Sequence, residues 1–309
     1  MPDPSVALGH ARATVVVADE SNQTGVLVAT GADRRSWLNG LVTSDLTKLA
    51  PGVLQYGLAV SPKGRILADL VFFEDGDRIL ALVPKAEAGS LQKTFDRYLV
   101  MEDAQIEAST DGFAIFSVHG PLADRVLETV QGEPDIVVVR GDRLGLGGGV
   151  VACARARGPA VAEVLSVAAR AAGGSFATEE VMEQLRVEQA VPRFGADFGP
   201  STYPQEAGLE TRAVSFDKGC YLGQEVVCML QLRGHVKRKL VPLVVEGSLL
   251  SGAALTAPDG REAGEVTSVV AGATPGSPSA LAMVKLAFAE PGTELRAGES
   301  VARVHTKAV

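Results

Sequence analysis

The sequence predicts an α+β fold that ends in a small β-barrel. Over the first 236 residues, strand-like runs come as hairpins mixed with helical patterns and not as a regular strand–helix–strand series. After about residue 236 only short apolar runs remain, separated by Gly, Pro and Asp-Gly turns. We therefore expect an α+β region over 1–236, with two interleaved subdomains, and a barrel domain over 237–309.

The first hundred residues predict hairpins and two helices. Residues 13–30 hold apolar runs broken by Asn22 and Gly25, which predicts a hairpin. Asp33 is placed to cap a short helix that ends near Gly40. The further elements predicted here are strands over 55–60, 66–73 and 78–83, turns at 61–64 and 75–77, and a helix over 88–100.

The second half of the α+β region predicts three more helices. Thr178 is placed to cap one of them, Glu179 and Glu180 complement its dipole, and Pro192 ends it. The glycine-rich run at 145–149 lacks the residues of a nucleotide-binding loop, which favours a hairpin loop. The other elements predicted are a strand over 112–118, helices over 121–130 and 159–172, barrel strands over 239–245, 263–270 and 279–284, and a loop at 274–278.

Composition excludes several classes of protein. A hydrophobic content of 46% with 21% charged residues is typical of globular chains. The net charge of −8 argues against a general nucleic-acid binder. No apolar run is long enough for a membrane helix, and the first residues lack a secretory signal. Three cysteines form no disulfide framework, and four scattered histidines form no zinc motif. These features predict a reduced, cytoplasmic protein.

The segment 218–225, Lys-Gly-Cys-Tyr-Leu-Gly-Gln-Glu, is the most informative stretch of the chain. It places Cys220 in a turn flanked by glycines, which let a backbone approach a ligand closely. Lys218 and Arg212 are near in sequence, and neighbouring cations favour the reactive thiolate form. The alternative is an ordinary turn with a packed cysteine, because free cysteines are often buried.

Two other groups of polar residues have competing interpretations. Glu188 shares a helical face with Leu185, so its carboxylate could accept hydrogen bonds from a pterin or guanine edge. A solvated carboxylate at the helix end, or a partner for Arg186, explains this fragment more simply when it is taken alone. The basic residues after the cysteine segment could bind a polyanion, or they could be a solvated strand edge. These basic residues are Arg233, His235, Lys237, Arg238 and Lys239.

Cys220 and Cys228 are eight residues apart, and the chain has no C-x-x-C motif. One chain therefore cannot supply the usual four thiolates of an iron–sulfur cluster. No histidine is paired with Cys220 in the sequence, so a papain-like dyad is not indicated either.

The segment 218–225 resembles the K-G-C-[FY]-x-G-Q-E signature of the YgfZ-type folate-binding proteins, which act in iron–sulfur cluster assembly and repair. The wider superfamily includes the glycine-cleavage T-protein, an aminomethyltransferase. Residues 37–46, 61–70, 118–121, 185–197 and 264–268 also resemble family patterns, so the similarity spans nearly the whole chain.

The resemblance implies a T-protein-like ring of three domains with tetrahydrofolate in its central cavity. Glu188 would then contact the pterin edge, and Arg186 and Asp197 would support that wall. The remaining residues that the resemblance assigns to folate binding lie in the octapeptide: Tyr221, Gln224 and Glu225.

The catalytic candidates are Cys220, Lys218 and Asp69. The adjacent aspartates of the T-protein correspond to Ala68 and Asp69 here, so the first carboxylate is absent. The T-protein also lacks the octapeptide's cysteine. Both departures favour the YgfZ-type interpretation over aminomethyl transfer.

Two functions follow from the resemblance. The first is a tetrahydrofolate-binding accessory factor for iron–sulfur cluster assembly or repair that uses Cys220. Its partners would be reduced folate and iron–sulfur client or assembly proteins. The thiol could ligate iron, form a mixed disulfide or receive a one-carbon unit. The alternative is a folate-dependent aminomethyl- or methyltransferase that uses Asp69. A third and weaker hypothesis is an RNA-linked factor that uses the basic cluster.

Overall fold

The computed structural model of the chain describes residues 4–234, 236–271 and 279–306. His235 of the basic cluster and the loop predicted at 274–278 lie outside these ranges. The helices are α1 (Pro4–Ala13), α2 (Arg34–Asn39), α3 (Ala88–Asp96), α4 (Ala123–Leu127), α5 (Gly158–Ala171), α6 (Glu179–Glu188), α7 (Glu210–Ala213) and α8 (Gln224–Arg233).

The described strands form two five-stranded sheets and one closed barrel. The strands are β1 (Val16–Asp19), β2 (Thr24–Thr30), β3 (Gln55–Val60), β4 (Ile66–Asp75), β5 (Arg78–Pro84), β6 (Gln105–Ser109), β7 (Phe113–His119), β8 (Ile136–Arg140), β9 (Gly148–Ala154), β10 (Ser175–Phe176), β11 (Arg238–Glu246), β12 (Ala254–Thr256), β13 (Glu262–Val269), β14 (Ala280–Lys285), β15 (Glu294–Ala297) and β16 (Ser300–Val304).

The first sheet has the order β3-β4-β5-β2-β6, and the second has the order β10-β1-β7-β9-β8. Helices α2 and α3 cover one side of the first sheet, and α4 and α5 cover one side of the second. The other sides face each other, and Phe73 and Leu80 pack there against Ile115 and Val150. The two sheets therefore share a buried apolar interface.

The hairpin predicted over residues 13–30 is wrong. Strand β1 pairs with β7 and β10 of the second sheet, whereas β2 pairs with β5 and β6 of the first. The two strands follow each other in sequence but separate after the turn at 20–23. Both are largely buried and need pairing on both edges, which a two-stranded hairpin cannot supply.

The barrel has the strand order β11-β14-β13-β12-β15-β16 and closes through pairing of β16 with β11. The small β-barrel predicted from the turn-rich C-terminal sequence is thereby confirmed. The division into domains at residues 236 and 237 stays a prediction.

Helix α6 connects the sheets to the barrel. Its Val181 and Leu185 pack with α1, and Val187 packs against Leu281 of β14. The Thr178 side chain accepts a hydrogen bond from the Val181 amide, so the predicted cap is confirmed. The helix ends at Glu188, before Pro192, because Ala190 adopts the left-handed conformation with φ of 52°.

Other predicted elements differ from the structure mainly in length. The helix predicted over 88–100 ends at Asp96, and that over 121–130 is confined to Ala123–Leu127. The glycine-rich run at 145–149 connects the antiparallel strands β8 and β9, as predicted for a hairpin loop. None of the helices within the described residues has both the length and the apolar character needed to cross a lipid bilayer.

Candidate functional site

A cavity of about 420 Å3 lies where the two sheets meet helix α6. Its lining includes residues from the end of β1 and the turn after it, from β3, β4 and β5, from the end of β7, from the β8–β9 loop, from α6, and from 191–194 and 209–212. A volume of this size is typical of small-molecule sites, which commonly form between domains. Because its walls come from distant parts of the chain, the site depends on the whole α+β region.

Strand β4 turns one side to the core and the other to the cavity. Alternate residues of a strand face opposite sides. Ala68 and Leu70 belong to the core under α2 and α3, whereas Val71 faces the second sheet. Asp69 shares the side of Val71, at the point where this interface opens into the cavity. Asp69 therefore faces the cavity, whereas the side chain of Ala68 faces the core.

Asp69 and Tyr56 form a hydrogen-bonded pair in the cavity wall. The Tyr56 hydroxyl donates to Oδ2 of Asp69 at 3.0 Å. Burial raises the pKa of Asp69 above its usual 3.8, and the hydrogen bond from Tyr56 opposes this only in part. Burial, followed by the neighbouring Asp69 charge, raises the pKa of the Tyr56 phenol well above 10. Asp69 therefore has unused acceptor capacity and favours a ligand that brings N–H donors.

An ion pair lies in the cavity wall. Nη1 of Arg143 donates to Oε2 of Glu20 at 2.8 Å. Burial opposes ionisation of Glu20, but the charge and hydrogen bond of Arg143 lower its pKa overall. Nearby His119 is buried, and burial together with the Arg143 charge lowers its pKa to about 4. Its Nδ1 has no hydrogen-bond partner in the described structure. A neutral imidazole with an unpartnered nitrogen thus borders the cavity.

Arg186 is the centre of a saturated hydrogen-bond network in the cavity wall. Its Nη1 donates to Oδ2 of Asp197 at 2.7 Å, and its Nε donates to Glu183 at 2.7 Å. Its Nη2 donates to the Ser268 hydroxyl at 2.7 Å and also to Glu183, and Nη1 reaches the Val191 carbonyl at 3.3 Å. All five N–H donors of the guanidinium are used, so Arg186 lines the cavity without a free donor.

Asp197 connects this network to the barrel. Its Oδ1 accepts from the hydroxyls of Thr267 at 2.5 Å and Ser268 at 2.7 Å, and its Oδ2 also accepts from the Arg193 amide at 3.0 Å. The pairing of β13 with β14 shifts register between Val266 and Ser268. Such a bulge lets two consecutive side chains reach the same acceptor. Arg186 and Asp197 therefore hold the cavity wall against the barrel.

Glu188 lies apart from the cavity lining. It is buried and pairs with Arg12 of α1, and it accepts a hydrogen bond from Gln184 Nε2 at 3.1 Å. The pterin contact proposed for it from the resemblance stays a prediction. In the structure, two other glutamates of α6, Glu179 and Glu183, line the cavity, and Glu183 accepts hydrogen bonds from Arg186.

Lys218 anchors the thiol turn, defined here as residues 218–223. Its Nζ donates to the carbonyl oxygens of Asn39 at 2.6 Å, Val42 at 2.9 Å and Ser44 at 2.7 Å. An ammonium has three donors, so none remains for the thiol of Cys220. Burial lowers the pKa of Lys218 to about 8, against the opposing charge of Asp45.

The thiol turn is also fixed at its far end. Gly223 has φ of 78°, and a Cβ there would lie 2.4 Å from the Ser61 carbonyl oxygen. Only glycine fits that position. The Leu222 amide donates to the Gly40 carbonyl at 3.0 Å. The turn is therefore held by segments that lie far away in the sequence.

Cys220 is exposed and does not line the cavity. Tyr221 is buried against Leu58 and Ile66, Gln224 accepts the Tyr221 amide at 3.2 Å, and Glu225 is exposed in the first turn of α8. The predicted residues thus occupy two places: Asp69 and Arg186 at the cavity with Asp197 behind them, and Cys220 on the surface at the thiol turn. The folate contacts proposed for Tyr221, Gln224 and Glu225 stay predictions.

Several cavity residues were not singled out from the sequence: Tyr56, Glu20, Arg143, His119 and Glu183. Tyr56 could have been found, because it lies on the strand predicted to pair with that of Asp69. The other residues are brought together only by the fold. Within the described ranges, no group of three or more His, Cys, Asp or Glu residues is arranged to hold a metal ion.

Comparison with known proteins gives two domain matches. Residues 8–139 match the GCVT N-terminal domain, and residues 238–308 match the glycine cleavage T-protein C-terminal barrel domain. The crystal structure of glycine cleavage system aminomethyltransferase T from Bartonella henselae superimposes with a TM-score of 0.86 at 22% identity, covering 98% of this chain and 88% of that one. The α+β ring with a C-terminal barrel is thereby confirmed.

Two kinds of relative are similar in sequence. The aminomethyltransferase of Chlorobium chlorochromatii is 26% identical over 290 residues, which is 86% of this chain and 78% of the relative. The tRNA-modifying protein YgfZ of Vibrio vulnificus is 26% identical over 226 residues, which is 71% of this chain and 67% of the relative. The similarity therefore does not separate the two kinds.

Proposed function

Because this chain belongs to the glycine-cleavage T-protein superfamily, whose two domains span more than half of it, we propose that it is a reduced-folate-binding accessory factor that presents Cys220 to partner proteins during iron–sulfur cluster assembly or repair. The observation that carries this proposal is the position of the thiol. Cys220 is exposed on a turn that Lys218 holds through three hydrogen bonds, and it does not line the cavity. A thiol outside the cavity can meet another macromolecule.

The cavity residues fit tetrahydrofolate. A volume of about 420 Å3 suits a ligand of that size. Asp69 accepts one side-chain hydrogen bond, and His119 has an unpartnered ring nitrogen, so both can bind the polar edge of a flat heterocycle. Arg212 at the rim makes no ion pair among the described residues and can bind a ligand carboxylate. When bound, reduced folate would carry a one-carbon unit.

The chain's own residues would then act in two places. Asp69 would orient the bound heterocycle, and the Arg186–Asp197 network would keep the wall beside it in place. At the thiol turn, Lys218 would hold the backbone so that Cys220 stays outside. The thiolate is the form that binds iron. The separation of the two places supports a role in which folate and the partner bind different faces.

The test of the proposal is Cys220→Ala. In a strain that lacks the gene, the wild-type chain should restore the activity of four-iron enzymes, and Cys220→Ala should restore little of it. Cys228→Ala is the matched control, because this second thiol is only partly exposed on α8. Tetrahydrofolate titrated into both variants by calorimetry should bind as it does to the wild type. Full rescue by Cys220→Ala would remove the thiol from the function.

A folate-dependent aminomethyl- or methyltransferase is the second candidate. The observation that favours it is Asp69, which faces the cavity and carries a carboxyl group of raised pKa. Similarity to named aminomethyltransferases agrees with it. Turnover of an aminomethylated carrier protein or a methylated amine with tetrahydrofolate would support this candidate. If folate binds but no turnover is detected, the transferase candidate is contradicted and the accessory role is favoured.

Asp69→Asn should weaken folate binding and stabilise the empty protein. The loss of charge-assisted hydrogen bonds to a ligand should reduce affinity about tenfold or more. Burial raises the pKa of Asp69 in the folded state, so its stability contribution is complete below pH 3.8 and is lost as pH rises through the raised value. The variant should therefore match the wild type in acid and melt higher at neutral pH.

Calorimetry and thermal unfolding over a pH series measure the two parts of this prediction. Asp19→Asn serves as a control, because Asp19 also lines the cavity but is already bonded to the amide and hydroxyl of Ser21. Equal folate affinity in Asp69→Asn and the wild type would contradict the assignment of Asp69 to ligand binding.

A further inference from the structure

Helix α8 exposes apolar side chains next to the thiol turn. Leu232 is 87% exposed and Met229 is 40% exposed, and Val227 is the one residue of the helix that is fully buried. Residues three apart on a helix are neighbours, so Met229 and Leu232 form one stripe. Glu225 continues this stripe toward Cys220. Single exposed apolar residues are ordinary, but two neighbouring ones on the outer side of a helix that packs through Val227 indicate a contact surface.

Three cations lie near helix α8. Arg233 ends the helix, Lys237 follows shortly after it, and Lys63 lies in the turn whose Gly64 packs against Val226. None of these three cations forms an ion pair within the described part of the chain, although the whole protein carries a net charge of −8. With no carboxylate paired to them, these cations can meet acidic side chains on a partner.

We propose that the α8 face, defined as Met229, Leu232, Arg233 and Lys237, is the docking surface for the protein that reacts with Cys220. This inference rests on the proposed function and adds the partner's chemistry: an apolar patch bordered by acidic side chains. A ten-residue helix is about 15 Å long, so the thiol and Leu232 fit within one standard interface.

The composition of the face favours a protein over RNA. Single-stranded nucleic acid binds through stacking on aromatic side chains and through extended basic grooves. The centre of the α8 face is aliphatic, and the exposed carboxylates of Asp217 and Glu225 lie toward its thiol end. Phosphates would be repelled there, whereas an acidic rim on a protein would meet Arg233 and Lys237 at the other end.

The test uses a purified four-iron enzyme in its cluster-free form as the probe. Leu232→Asp should weaken its binding at least tenfold by calorimetry and reduce rescue in the deletion strain. Leu250→Asp is the matched control, because Leu250 is 75% exposed on the barrel and away from α8. The double variant Arg233→Glu with Lys237→Glu should also weaken binding, and the loss of affinity should be larger at low salt than at high salt. Tetrahydrofolate affinity should be unchanged in all variants.

The outcomes separate this inference from the proposed function. Wild-type binding and rescue by Leu232→Asp would overturn the docking surface, and loss of rescue by Cys220→Ala would still support the proposed function. Failure of the wild-type chain to bind the cluster-free enzyme would overturn the docking surface as well. Failure of the wild-type chain to rescue would overturn both. If the charge reversal instead removes binding of bulk tRNA while leaving the enzyme bound, the face is a nucleic-acid surface and the inference is wrong.

Discussion

Replacing Arg186 with Met should lower the free energy of unfolding by about 4 kcal/mol, because it leaves a buried carboxylate without its counter-charge. The side chain of Asp197 is fully shielded from solvent, and that of Arg186 is 8% exposed. The two hydroxyls and the amide that bond Asp197 would remain in the variant. They cannot replace a unit charge, so most of the cost should persist.

Denaturation by urea, followed by circular dichroism, measures this loss. Arg193→Met is the matched control: Arg193 also pairs with Glu183, but its side chain is 45% exposed, and such pairs contribute less than about 1 kcal/mol. Adding Asp197→Asn to Arg186→Met should recover part of the loss, since the uncompensated charge is then gone. A loss below about 1 kcal/mol for Arg186→Met would contradict the role given to this network.

Local patterns predicted the elements whose formation depends on neighbouring residues. The turn at 61–64 between β3 and β4 and the capped start of α6 at Thr178 are examples. The hairpin over 13–30 failed because pairing partners are chosen by the whole sheet. Strand β1 pairs with β7, which follows about a hundred residues later, and no local sequence signal predicts that pairing.

The cavity shows the same limit for functional residues. Asp69 was recognisable as a carboxylate within an apolar strand, and the alternation of β4 decides which way it faces. Glu20 and Arg143 are 123 residues apart and meet only in the folded chain. A spacing-based argument cannot identify such a pair.

The sequence predicted a tight turn around Cys220, but it did not predict which way the thiol faces. Its glycines indicated a tight bend, and Gly223 does adopt a positive φ. Its orientation depends on hydrogen bonds from Lys218 to carbonyls 174 to 179 residues earlier. Helix α8 was not predicted at all, because its apolar residues are spread around the helix and define no core-facing side.

Introducing an aspartate at position 68 should destabilise the protein by about 3 kcal/mol and should not create a second cavity carboxylate. Ala68 is completely buried in the core under α2 and α3, on the side of β4 opposite to Asp69. Ala68→Asp would add volume to a packed core and bury a carboxyl without a partner. The resemblance to the T-protein implies adjacent aspartates at positions 68 and 69. In this chain a carboxylate at position 68 would point into the core and could not act in the cavity.

Ala68→Asn is the control that separates charge from size. Both substitutions add similar volume, so the difference between their unfolding free energies reports the buried charge. That difference should shrink in acid, where the introduced carboxyl is protonated. The rate of one-carbon transfer per folded molecule should also be no higher in Ala68→Asp than in the wild type, because the new carboxyl group points into the core. An increase in transfer would show that position 68 reaches the cavity, and the strand register used to assign Asp69 would then be wrong.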